Sequence, residues 1–172
     1  KTLREYHFVV TSVENTFQYS PKEHRKGYFM KIAMADKNGN ELPHCGNLSH
    51  IEPGTSLQNK GRAINAPPLF FNEGEKAKIV VHNKSQSPMT IHWHGIFLET
   101  KMDGIPGFQV PIGINKTFKY EFDLTQNGTY WYHPHDLNEQ DTRGAIIIFA
   151  APKGQIVKNP DGTTQMSPGE WI

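Results

Sequence analysis

Two short stretches hold most of the residues that could do chemistry. "TIHWHGIF" (90–97) sets His92 and His94 on either side of a tryptophan, and "GTYWYHPHD" (128–136) sets His133 and His135 on either side of a proline. In an extended strand, side chains two residues apart project from one face. Each pair therefore presents both imidazoles to a common side, and two strand ends can bring four rings to one space. Trp93 would turn toward a core, and Pro134 would stiffen the chain where a ladder ends. Four neutral imidazoles packed together carry about eight ring nitrogens, and each one left unpartnered costs on the order of 1–3 kcal/mol. A metal ion satisfies one nitrogen per ring and leaves the other to an oxygen partner. All-imidazole ligation, without thiolate or a dense carboxylate set, suits copper or zinc over calcium or magnesium, and spacing does not choose between those two. Single histidines such as His7 and His82 read as hydrogen-bonded structural residues.

The elements around these motifs are β-rich. Tyr6, Phe8 and Val10 alternate with Glu5, His7 and Val9, which predicts a first strand with one buried face. Further strands are expected in 77–83, 87–97, 116–124, 128–135 and 144–150, separated at short intervals by Gly or Asn turns. No stretch of twelve or more residues carries a helical period, so the strand spacing indicates an antiparallel sandwich or barrel. Residues 11–62 read as loop-rich, with one hairpin at the Asn38-Gly39 turn and a long surface loop from about Pro43 to Arg62. Residues 1–152 are expected to form a single domain. Residues 153–172 read as a polar connector whose last residues, Glu170 to Ile172, open another strand toward a following domain.

Composition narrows the partners. At 172 residues the chain is long enough for one domain with a proper core. Eighteen Lys and Arg against seventeen acids, with no basic block, give no electrostatic push toward nucleic acid or an anionic membrane. No run approaches the roughly 18 apolar residues of a membrane span. Cys45 is the only cysteine, which excludes an internal disulfide and a cysteine-rich zinc site.

"HWHG", then "MDGIPGFQVPIGINKTFKYEFDL", "GTYWYHPH" and "GAIIIF", preceded by "INAPPLFFNEGEKAKIVVHN", together resemble the first cupredoxin domain of the multicopper oxidases, the laccase, copper-resistance and metallo-oxidase group. The resemblance runs from about residue 64 to 150. It implies an all-β, cupredoxin-like Greek-key β-sandwich. It also implies a trinuclear copper cluster at an interface between two such domains, where O2 is reduced to water with electrons taken singly from a phenol or a metal ion. Matched motif by motif, His92 would bind the type 2 copper and His94, His133 and His135 the type 3 pair. Asp103, in "KMDG", matches an acid near the type 2 copper that helps deliver protons, although Asp-Gly is also a common turn. The chain would supply half of the ligands. A further cupredoxin domain, in the same chain or another subunit, would supply the rest, and the isolated chain would be inactive. A periplasmic or secreted location follows from the same resemblance.

The departures also shape the expectation. Pro134 stands where the family more often has serine, and Glu139 and Gln140 are either partners of the ligands or surface. A blue type 1 copper site needs a cysteine with two histidines. His44, Cys45 and His50 lack the usual downstream ligand, so no type 1 site is expected in this chain and Cys45 reads as a loop cysteine. A non-catalytic copper-binding or assembly domain of the same fold is the alternative. A cupin fails because Gln86 and Lys116 stand where its glycine and third histidine belong, a His-x-His-x-Asp-His zinc hydrolase fails at Ile96 and Phe97, and a copper nitrite reductase fails because 132–144 lack a cysteine.

Overall fold

The computed structural model describes residues 2–20, 23–43, 66–135, 142–151, 156–158 and 160–166. Two four-stranded sheets face each other across one core. The first has the order β2-β1-β4-β6, with β1 Leu3–Ser20, β2 Glu23–Met34, β4 Lys76–Asn83 and β6 Thr117–Asp123. The second has the order β3-β8-β7-β5, with β3 Leu69–Asn72, β8 Gly144–Phe149, β7 Gly128–Pro134 and β5 Ile91–His94. From β3 to β7 the chain changes sheet at every step, which is the Greek-key crossing of a cupredoxin-like sandwich.

Alternation builds the core. In β4 every second residue is buried, so Ala77, Ile79 and Val81 face inward while Lys78, Val80 and His82 face outward. The second sheet sends Ile91, Trp93, Tyr132, Ile146 and Ile148 to meet them. Trp93 lies edge-on to Tyr120 with ring centroids 5.1 Å apart, and Phe8 stacks on Tyr132 at 5.3 Å. Aromatic contacts of this kind contribute about 0.5–1.5 kcal/mol beyond area burial. They fix the strand pair that carries the histidine motifs.

The strands expected at 77–83, 116–124, 128–135 and 144–150 lie within a residue or two of β4, β6, β7 and β8. Three expectations are corrected. Residues 11–20 and 23–30 are not loop but belong to a long antiparallel hairpin, β1 with β2, whose last residues 31–34 are the extended run expected before the Asn38-Gly39 turn. Thr11, Ser12, Glu14, Asn15 and Thr16 hide the alternation, while backbone ladder bonds need no apolar face. The pairing is mixed, since β1 runs parallel to β4 and β3 parallel to β8. Parallel partners need long crossovers, and sequence spacing shows only neighbours. The expected connector carries a small hairpin, β9 Ile156–Lys158 with β10 Thr164–Met166. The Asn38-Gly39 turn is present, closed by the Ala35–Glu41 bridge with Gly39 at φ 77°. His44, Cys45, His50, Glu139, Gln140 and Glu170 to Ile172 lie outside the described residues. Among the described residues no helix is long and apolar enough to cross a membrane.

Candidate metal centre

Register assembles the site. β5 and β7 pair so that His92 faces His133 and His94 faces Trp131, while Trp93 faces Tyr132 on the core side. His92, His94, Trp131 and His133 consequently share the outer face of the second sheet. One nitrogen from each of His92, His94 and His133 lies within 4.8 Å of the others. His135, just past the end of β7, lines the same cavity but stands further off, its ring 6.0 Å from His92 and 6.1 Å from His133. That cavity, about 340 Å³, is completed by Trp131, Pro134 and Arg143.

Hydrogen bonds set the tautomers of two rings. His92 Nδ1 lies 2.7 Å from the Asp103 carbonyl oxygen, and His133 Nδ1 lies 2.8 Å from that of Pro134. A carbonyl only accepts, so both Nδ1 atoms carry the proton and both Nε2 atoms keep a lone pair. This is the arrangement in which a backbone oxygen orients a ligand ring. Asp103 adds its carboxylate, with Oδ1 3.2 Å from the same His92 nitrogen. Burial, followed by the field of the neighbouring imidazoles, holds His133 below the ordinary histidine range, against the opposing pull of its bond to Pro134. That lowering favours the neutral, ligating form of the ring.

Sequence reading missed four residues that hold this geometry. Thr90 is buried; its hydroxyl donates to the Gly104 carbonyl, and its own carbonyl accepts from His135 N at 3.0 Å. Gly104 has φ +71°, and a Cβ there would fall 1.9 Å from the Ile91 carbonyl oxygen. Only glycine lets the Asp103 turn close onto β5. Trp131 lies nearly parallel to both His94 and His133, at centroid distances of 4.4 and 4.6 Å. Arg143 covers the tryptophan, its guanidinium carbon 5.0 Å from the ring centre. The Trp131 signal was present in "YWYHPH", since residue 131 shares the face of His133, but its partner emerges only from strand register.

The donor set is all imidazole, with an oxygen partner behind two of the three converging rings. These are ligands that suit copper. Residues 50–153 match the multicopper oxidase family. The chain belongs to that family. Copper is the metal the family implies, and the cavity's donors fit it. Copper resistance protein A of Escherichia coli is 42% identical over 103 residues, covering 56% of this chain and 17% of that protein. Laccase-12 of Arabidopsis thaliana is 36% identical over 111 residues, covering 61% of this chain and 20% of that protein. Among solved structures, the multicopper oxidase of Campylobacter jejuni, a metallo-oxidase, aligns with a TM-score of 0.51 at 25% identity, over 87% of this chain and 27% of that one. The chain thus spans about a fifth or less of the length of these two curated relatives.

Proposed function

We propose that this chain is the first cupredoxin domain of a multicopper oxidase and supplies half of the histidine ligands of its trinuclear copper cluster. The observation that carries the reading is the convergence of His92, His94 and His133 on one cavity, with the lone pairs of His92 and His133 left on Nε2. In this reading His92 serves the type 2 copper, and His94, His133 and His135 serve the type 3 pair. Copper held there supplies the one-electron redox capacity by which O2 is reduced to water. A further cupredoxin domain, in the same chain or another subunit, brings the remaining ligands and the type 1 site. The electrons come from a phenol or a metal ion. The family's use of a periplasmic or secreted setting extends to this protein.

The chain's own residues orient and protect that site. Trp131 fixes two ring planes, Pro134 stiffens the ligand strand and contributes the carbonyl behind His133, and Thr90 ties His135 to β5. Asp103 touches His92 and is also part-exposed, 23% at its side chain. That placement suits passing protons between solvent and the cluster.

His94→Ala and His133→Ala test the assignment. Each is expected to lower copper bound in the cavity at least tenfold, with the β circular dichroism and melting transition retained. Undiminished copper affinity in both folded variants overturns it. O2 uptake by an assembly containing the complementary domain, lost in the same variants, separates the oxidase from a copper-binding domain that does no chemistry.

A further inference from the structure

A second histidine grouping lies on the outer face of the other sheet. β1 and β4 run parallel with His7 opposite Val80 and Val9 opposite His82, so the two histidines are diagonal neighbours on one face. His7 Nδ1 stands 3.3 Å from His82 Nε2, with the rings 5.6 Å apart and 23° from parallel. The two outer nitrogens are also served. His7 Nε2 lies 2.8 Å from Glu5 Oε1, and His82 Nδ1 lies 3.3 Å from the Thr117 hydroxyl.

We propose that His7 and His82 form a second cation site, separate from the cluster, which takes a four-coordinate first-row ion of the zinc or copper type. Two nitrogens each about 2.0–2.1 Å from one tetrahedral ion stand about 3.3–3.4 Å apart. The two inner nitrogens already have that spacing. With the His7 proton on Nε2 toward Glu5, moving the His82 proton from Nε2 to Nδ1, with a small tilt of the rings, exchanges the N–H···N contact for two lone pairs converging on one ion. The outer N–H groups then donate to Glu5 and Thr117, the carboxylate and hydroxyl backing that orients ligand imidazoles. Glu5 is itself held by Lys78 at 3.0 Å. Two protein donors leave two positions for water, so the site binds by exchange from solution and does not act as a closed structural site.

The surroundings preset the pair. The Asp36–Asn40 turn lies over His82, and a Cβ on Gly39 would fall 2.7 Å from the His82 ring. Lys84 donates to the Gly39 carbonyl at 2.7 Å. Glu5 and Asp36 are the acids, and Lys78 and Lys84 the bases, that face the pair.

The test is Zn(II) titration of the whole chain carrying His94→Ala and His133→Ala, which silences the cluster. Zn(II) at about a hundredfold excess over Kd is expected to raise Tm by about 5 °C or more. Adding His7→Gln or His82→Gln should abolish that rise. In the chain with both residues intact, the ring-proton resonances of His7 and His82 should shift together on titration, a readout that does not depend on the variants folding. No rise in the cluster-silenced parent, a rise that survives both added substitutions, or unmoved His7 and His82 resonances would each overturn the site.

Discussion

The two histidine groupings sit on opposite outer faces of one sandwich and are built differently. The cluster draws His92 and His94 from one strand and His133 and His135 from the end of its antiparallel neighbour. The pair draws one residue from each of two parallel strands that lie some seventy positions apart in sequence. Around the cluster, the surrounding groups are backbone carbonyls, the Asp103 carboxylate, a tryptophan and a guanidinium. Around the pair they are a carboxylate, a hydroxyl and lysines. A site whose ligands are adjacent in sequence needs only the strand period and one register. A site whose ligands are distant depends on the staple that brings its strands together.

The contrast can be broken most severely at Gly104. Replacing it with alanine forces a Cβ into the Ile91 carbonyl and strains a positive φ, so the Asp103 turn must lift from β5. A loss of about 3 kcal/mol in denaturant unfolding is expected, together with weaker copper binding at the cluster and unchanged Zn(II) binding at the pair. Full stability in this variant would show that the turn does not rest on β5.

Trp131 sharpens the same side. Trp131→Leu is expected to weaken copper binding about 10–100-fold, the range of lost ligand-orienting contacts, while Trp131→Phe should recover most of it because the flat ring is restored. Copper-titrated circular dichroism of the two variants checks this; equal losses would assign Trp131 to bulk packing.

The smallest effect belongs to the staple behind the pair. Glu75 accepts from Arg4 through both oxygens, at 2.7 and 2.8 Å, and also from Asn72 N at 2.8 Å. Those contacts tie the start of β1 to the start of β4. The Arg4 guanidinium is the main cause holding the Glu75 carboxyl below its ordinary value. A carboxyl lowered on folding contributes stability above its unfolded value, and that contribution is lost as pH falls through the folded one. Glu75→Gln should therefore cost about 1–2 kcal/mol at pH 7, with Arg4 being partly exposed. The difference from the parent should shrink as pH drops through the carboxylate range near 4.5 and below. Urea midpoints measured from pH 7 to pH 3 check the sign. A constant gap would mean that the pair's staple is not electrostatic.

Much of the cluster was legible because strand period and ligand spacing coincide. "HWH" and "HPH" each declare which side chains share a face, and β4, β6, β7 and β8 declare themselves through alternation and turns. The long β1–β2 hairpin was not legible. Its outer half mixes Val13, Phe17 and Tyr19 with Thr11, Ser12, Glu14, Asn15 and Thr16, which breaks the alternation that marks a strand, and the backbone ladder that pairs it leaves no mark on residue type. Asp103 could be named but not placed. Its contact with His92 depends on Gly104 closing over β5, and a sequence shows only an Asp-Gly turn.

The chemistry of the donors was decided by the sequence alone: four imidazoles in two period-two pairs, no nearby thiolate, and a β-rich frame to hold them. The tertiary structure alone decided which nitrogens are free, because that depends on where the carbonyls of Asp103 and Pro134 fall. It also decided that Trp131 and Arg143 belong to the site and that His7 meets His82. The meetings of His94 with Trp131 and of His7 with His82 are contacts between strands, fixed by register and crossover, and residue order along one strand carries no information about the strand beside it.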